Sequence, residues 1–152
     1  MSSRKKLTIR AAQAKDFPVW KKMWKQYCDF YEAKVPEKIT RATWKRILDP
    51  KQAVYGLVAL DATGSPVGFA NYVVHPFTWD TRQACYLEDL FVDPVARGQK
   101  VGQALIQALL DLCKKKNWAR LYWHTNQDNY RARTLYDRFT PCDHYVRYRI
   151  ML

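Results

Sequence analysis

Apolar and polar positions recur with two different periods along the chain, and the switches between them delimit the elements. LTIRAA (7–12) reads as a short first strand. From Asp16, a residue type suited to capping, Trp20, Trp24, Tyr27 and Tyr31 recur at spacings of three and four. That spacing predicts a helix with an aromatic stripe, whose first meaning is core packing. TRATWKRIL, after Thr40, predicts a second short helix stopped at Asp49-Pro50. AVYGLVAL and PVGFANYVVH are β-rich runs separated by DATGS, the pattern of a hairpin. QACYLEDLFV (83–92) reads as a further strand. After Gly98 a helix sets Val101, Leu105, Ala108 and Leu112 on one face against Gln103, Gln107, Asp111 and Lys114. ARLYWHT then predicts a strand, residues from about Asn129 to Phe139 a helix, and HYVRYRIML a closing strand. The order β-α-α-β-β-β-α-β-α-β predicts an α/β or α+β fold, a mixed sheet with helices on both faces. No repeat or linker divides it, so residues 1–152 are expected to form a single domain.

Composition narrows the class without choosing a function. The 152 residues are 48% hydrophobic and 26% charged, the balance of a globular chain with a real core. No apolar run reaches membrane-spanning length, and MSSRKKLTIR lacks the apolar stretch of a signal peptide, so no membrane partner is expected. Cys28, Cys85, Cys113 and Cys142 are widely spaced without CxxC, which suggests neither a zinc site nor a redox pair. A reducing, cytoplasmic setting is the expectation. The net charge of +12 fits nucleic acid, an acidic surface and a polyanionic small molecule alike.

Candidate chemistry begins in FVDPVARGQKVGQA, where a strand ends in a turn holding Arg97-Gly98 and a helix follows. Amide groups at a helix start lack intrahelical partners and carry the positive end of the macrodipole, which suits a phosphate. Arg97 and Lys100 add full charges. GxxxxGK[ST] and GxGxxG are both absent, which removes a triphosphate P-loop and a Rossmann dinucleotide site. Taken alone, the segment reads more readily as a glycine turn without a ligand.

The neighbouring motifs supply a resemblance. RGQKVGQA is similar to the [R/Q]-x-x-G-x-[G/A] signature of the GNAT superfamily of acetyl-CoA-dependent N-acetyltransferases, through Gln99, Gly102 and Ala104. YLEDLFVDP stands directly before it and NYRARTLY about 25 residues after it, in that family's order. The resemblance spans roughly residues 7–151 and is strongest over 86–139. WKQYCDFYE, ILDP and FTWD resemble the branch with fungal histone and polyamine acetyltransferases, and YLEDLFV also resembles the diamine acetyltransferases. Lys100 departs from the RGxGxG of many members, standing where the middle glycine would be.

The resemblance implies acetyl-CoA as co-substrate and direct transfer to a primary amine. Backbone amides of Gly98, Gln99, Lys100, Val101, Gly102 and Gln103, with Arg97, would hold the pyrophosphate. Leu90, Phe91 and Val92 would pair with the pantetheine like an added strand, along an edge opened by two parallel strands ending near Val92 and Thr125. Asn129 would bond the same arm, and Tyr136, on the same side of its helix, would protonate the leaving thiolate. Glu88 would act as base or amine ligand, while the adjacent Asp89, expected on the opposite strand face, has a structural role as its alternative. Tyr31 and Glu32 would line the acceptor pocket. His75, His124 and His144 offer no triad, although His124 lies on the strand bordering the cofactor slot. HYVRYRIML is the expected homodimer edge. Two other readings stay open: a basic nucleic-acid-binding module, and a catalytically weak GNAT that senses acyl-CoA. The acceptor ranges over polyamine, small amine and protein lysine or N-terminus.

Overall fold

The computed structural model describes residues 6–152; the start of MSSRKKLTIR lies outside them. The strands are β1 (Thr8–Ala11), β2 (Val54–Leu60), β3 (Pro66–His75), β4 (Ala84–Val92) and β5 (Arg120–Tyr122). The helices are α1 (Phe17–Phe30), α2 (Glu37–Leu48), α3 (Val101–Lys115) and α4 (Tyr130–Tyr136). One sheet runs in the order β1-β2-β3-β4-β5. Its first three pairings are antiparallel and β4–β5 is parallel, with α3 as the crossover. A mixed sheet with helices on both faces is therefore the observed architecture.

Two cores lie on opposite faces of that sheet. One gathers Leu57, Ala70, Leu87 and the buried face of α3, with Leu135 and Tyr136 of α4 packed on its margin. The other joins Trp20 and Met23 of α1, Trp44 and Ile47 of α2, and Val58, Phe69 and Phe91 of the strands. The aromatic stripe of α1 is core at its N-terminal half: Trp20 stacks on Trp24 at 5.3 Å and meets Trp44 at 4.7 Å. Burying a side chain of that size contributes roughly 1.5–3 kcal/mol or more. At its other end the stripe leaves the core for the site described below.

Several expectations are corrected. Asp16 occupies the cap position of α1, but its carboxylate accepts from Arg10 at 2.7 and 2.9 Å and from the Gln13 amide at 2.8 Å. At 3% exposure the charge is held by a cation, which stabilises it more than a first-turn amide does. The second helix starts at Glu37 behind Pro36, before Thr40, because a proline at the cap presets the entry. On α3 the buried residues are Val101, Gly102, Leu105, Ile106, Leu109 and Cys113, with Ala108 and Leu112 only at the margin of that face. The largest departure is HYVRYRIML, which forms no strand: residues 140–152 are exposed and pair with nothing in the sheet. β-Branched and aromatic residues favour a strand only where a neighbour completes the ladder, and one chain places none beside this segment.

Candidate active site

β4 and β5 are paired only at Ala84–Arg120, Cys85–Leu121 and Tyr86–Tyr122. Beyond Tyr86, β4 stays bonded to β3 as far as Val92, while the chain after Tyr122 leaves the ladder. A gap therefore opens between the two strands, and the β4 edge facing it, Leu87 to Val92, has no neighbour. The predicted splay and the placement of Leu90, Phe91 and Val92 along it are both present. It also explains why β5 is shorter than ARLYWHT suggests.

A bulge in β4 sets the chemistry of that edge. Asn71 pairs with Asp89 and Tyr72 with Leu87, so Glu88 has no partner on β3. Leu87 and Leu90, three apart, consequently both reach the α3-side core. The face has shifted by one residue, and Glu88 and Asp89 both lie on the α1 side. Their expected placement on opposite faces is thus wrong: regular alternation does not survive an inserted residue. Burial, helped by the neighbouring Asp89 charge, raises the pKa of Glu88 above the ordinary glutamate range. Asp89 is more buried and raised for the same first reason, against which Asn71 and the Tyr27 hydroxyl favour its charged form. Asn71 Nδ2 donates to Asp89 at 3.0 Å, and the buried Asn71 Oδ1 has no hydrogen-bond partner. An orphaned buried acceptor costs about 1–3 kcal/mol, a penalty located directly against the acidic pair.

Tyrosines from opposite faces of the sheet meet through the gap. Tyr136 comes from α4, packs edge-on against Trp123 at 5.4 Å, and has its pKa pushed up to about 12 by burial and then by Tyr31. Tyr31, immediately after α1, is raised first by burial; its hydroxyl faces Thr125 and Asn129, and it lies within the field of Asp89. Asn129 caps α4, accepting from the Ala132 amide at 3.5 Å, and its Nδ2 donates to Thr125 Oγ1 at 3.1 Å. Tyr136, Tyr31 and Asn129 are thus brought together, with Asp89 acting on Tyr31 and Glu88 next to Asp89 on β4. Glu32 is exposed beyond the end of α1, with a left-handed φ of 53°. Among the described residues no hydrogen bond or ion pair joins it to the cluster.

The predicted phosphate turn stands at the end of β4. Arg97, Gly98, Gln99 and Lys100 are exposed, Val101 and Gly102 are buried, and Gln103 is half-buried. Gly98 has φ 79° and open space where a Cβ would project. Lys100 is the cap of α3, left-handed at φ 61°, and its carbonyl accepts the Ala104 amide at 3.0 Å. The amides of Val101, Gly102 and Gln103 therefore form a first turn without intrahelical acceptors. A Cβ on Gly102 would sit 3.0 Å from Leu135, so the missing side chain lets α4 close on α3 beside Tyr136. An open anion-binding turn followed by an open strand edge suits an extended ligand with a phosphate at one end.

Sequence reading missed Asn71, Tyr27, Thr125 and Tyr86. The signal for Asn71 was a lone amide inside the apolar run PVGFANYVVH; the others are ordinary strand or stripe residues until the fold aims them. The histidines form no triad. His75 Nε2 lies 2.6 Å from the Tyr122 hydroxyl, His124 Nδ1 lies 3.0 Å from that of Tyr86, and His144 is in the exposed C-terminal segment.

With this geometry in hand, comparison with known proteins is direct. The model of the Acetyltransferase (GNAT) family matches residues 20–140. D-amino-acid N-acetyltransferase HPA3 of Saccharomyces cerevisiae is 32% identical over 134 residues, covering 88% of this chain and 83% of its own. The thialysine N-epsilon-acetyltransferase of Bos taurus is 34% identical over 82 residues, 51% of this chain and 48% of that one. Among solved structures, the aminoglycoside N-acetyltransferase AAC(6')-Iy in complex with CoA superposes with a TM-score of 0.82 at 20% identity, covering 100% of this chain and 99% of its own. A ribosomal-protein-alanine N-acetyltransferase from Brucella melitensis biovar Abortus 2308 gives 0.80 at 20% identity over 97% and 100% of the two chains. At that identity the structural matches speak for the fold.

Proposed function

The chain belongs to the GNAT family of acetyltransferases and is an acyltransferase; from that premise we propose that it moves an acetyl group from acetyl-CoA directly to a primary amine. The observation that carries this is the gap beyond Tyr86, an unpartnered strand edge that bears two adjacent carboxylates on β4 and is bordered by the half-buried Tyr136 of α4. Residues 1–152 act as one catalytic unit. The first-turn amides of α3, with Gly98, Gln99 and the cations of Arg97 and Lys100, hold the pyrophosphate. Leu90, Phe91 and Val92 offer the pantetheine an open edge, and Asn129 contacts the same arm from its cap. Bound acetyl-CoA supplies an acyl carbonyl and a thiolate leaving group.

The chain's own residues do the rest. Glu88 removes the proton that an amine carries at neutral pH, its raised pKa bringing it closer to that of its partner. Strand amides at the gap favour negative charge developing on the carbonyl oxygen. Tyr136 stays protonated through neutral pH because burial holds it near 12, so it has a proton to give to the thiolate. Tyr31 lines the acceptor side, and Glu32 adds negative charge at its outer rim. Glu88 and Asp89, adjacent on β4, place local negative charge in a basic chain, which suits a cationic acceptor. The yeast and bovine relatives are named for small amino acids, which supports a small amine over a protein tail.

The free β5 edge and the exposed, strand-forming C-terminal segment support a homodimer in which each tail pairs with the other protomer. Four free cysteines fit a reducing, cytoplasmic setting. No described helix is long and apolar enough to cross a membrane. The test is a panel of amines, amino acids and peptides with acetyl-CoA, read by thiol release, beside a thermal melt. A rise in Tm with acetyl-CoA and thiol release with at least one amine are expected. No shift at millimolar acetyl-CoA would count decisively against the assignment.

A further inference from the structure

We propose that Tyr86 and His124 form the exit path for the acceptor's proton, carrying it from Glu88 to solvent. This rests on the acetyl-transfer reading and extends it to residues that reading leaves idle. Tyr86 lies two positions before Glu88 on β4 and so projects from the same face. The Glu88 charge acts on it: the Tyr86 phenol is raised to about 12, first by burial and then by that carboxylate. Its oxygen is 3.0 Å from His124 Nδ1, with the two rings 5.4 Å apart. His124 follows Tyr122, the last β5 residue paired with β4, by two positions and so stands at the mouth of the gap. Tyr122 fixes the pair from below: its ring is 5.0 Å from that of Tyr86, and its hydroxyl is tied to His75 at 2.6 Å. His124 is exposed. An amine bound over Glu88 covers that carboxylate from solvent, whereas the imidazole stays at the rim.

The transfer balances in protons alone. The acceptor's N–H bond breaks as an O–H bond forms on Glu88. Glu88 passes that proton to the Tyr86 oxygen, through one water where the side chains do not touch, while Tyr86 gives its own to His124 Nδ1. The imidazolium releases its Nε2 proton to solvent, an imidazole having one ring nitrogen to accept and a second to donate. The ionisable groups facing this path are Glu88 and Asp89 on β4, Tyr122 on β5, His75 on β3, Tyr27 and Tyr31 from the α1 side, and Arg147 of the C-terminal segment.

Two variants, His124→Gln and Tyr86→Phe, test the path through the pH dependence of kcat at saturating acetyl-CoA. Each is expected to lose about a hundredfold in kcat near pH 7, with KM for acetyl-CoA close to the unsubstituted value. The deficit shrinks as pH rises and hydroxide replaces the imidazole. Added imidazole restores turnover to His124→Ala, which a purely structural loss does not allow. Unchanged kcat and pH profile in His124→Gln, or a pH-independent loss that imidazole leaves untouched, overturns the exit path while leaving acetyl transfer standing. Absence of thiol release from the unsubstituted protein with every amine overturns both.

Discussion

Lys100 combines a backbone conformation that glycine adopts freely with a charge that glycine lacks. A non-glycine residue in the left-handed region costs roughly 1 kcal/mol, and Lys100 at φ 61° has no side-chain cap bond to offset it. Substitution Lys100→Gly is therefore expected to leave Tm unchanged or raise it slightly, while weakening acetyl-CoA several-fold. Calorimetry and a melt on the same sample check the two signs separately, and unaltered affinity would place the ammonium outside the phosphate site. Tyr136 gives the complementary case, a group that the proposed reaction uses for chemistry and not for binding. Tyr136→Phe retains the Trp123 contact but has no proton to donate. Turnover is expected to fall by about two to four orders of magnitude with acetyl-CoA affinity near normal; unchanged turnover would remove Tyr136 from the reaction. Both residues could be singled out in the sequence because each stands in a short motif. Asn71 and Tyr86 could not, since their partners Asp89 and His124 lie 18 and 38 residues away and only the sheet brings them together.

At the level of elements, periodicity located the strands and long helices of the sheet to within a few residues, because each has one face to bury. What it missed is the bulge in β4. YLEDLFV reads as simple alternation, and nothing in the letters says that Glu88 is skipped by β3. The inserted residue converts two acids that alternation separates into one acidic site, and its effect on stability is measurable. Burial sets the folded-state pKa of Asp89 above its unfolded value. Its contribution therefore stabilises the fold at low pH and is lost as pH rises through the folded pKa. Asp89→Asn should melt above the unsubstituted protein at pH 7, and the difference should close below about pH 4. The same melting temperatures at both pH values would show that Asp89 is well solvated. A second element-scale dependence runs through α4. In Gly102→Ala the new methyl meets the Leu135 side chain at 3.0 Å, so Leu135, directly before Tyr136 on α4, must give by a few tenths of an ångström. A destabilisation of about 1–3 kcal/mol is expected, with kcat falling more than affinity because the phosphate turn itself is unchanged. Denaturant melts and steady-state kinetics measure the two effects independently.

For the whole molecule, the missing closing strand is the most informative failure of sequence reading. HYVRYRIML has the alternation and residue types of a strand, yet Tyr145, Val146, Tyr148, Ile150, Met151 and Leu152 are all exposed. β5 meanwhile has β4 on one side and, among the described residues, no strand on the other. An open edge and an unpaired strand-former within one chain are two halves of a ladder. In the proposed homodimer a second copy would supply the missing half of each, and symmetry would make the exchange reciprocal. The expected strand is absent because alternation and residue type report only a propensity, and one sequence does not state whether a partner strand stands beside it. A homodimer is accordingly expected by light scattering at micromolar concentration. Truncation after Asp143, or Ile150→Asp with Tyr148→Asp, should yield a monomer. Because His124 and the gap follow directly from β5, the monomer should also lose activity while keeping the helical signal of α1 and α3. An unsubstituted protein that is monomeric at every concentration tested, with full turnover, would show that the tail is not a strand awaiting a partner.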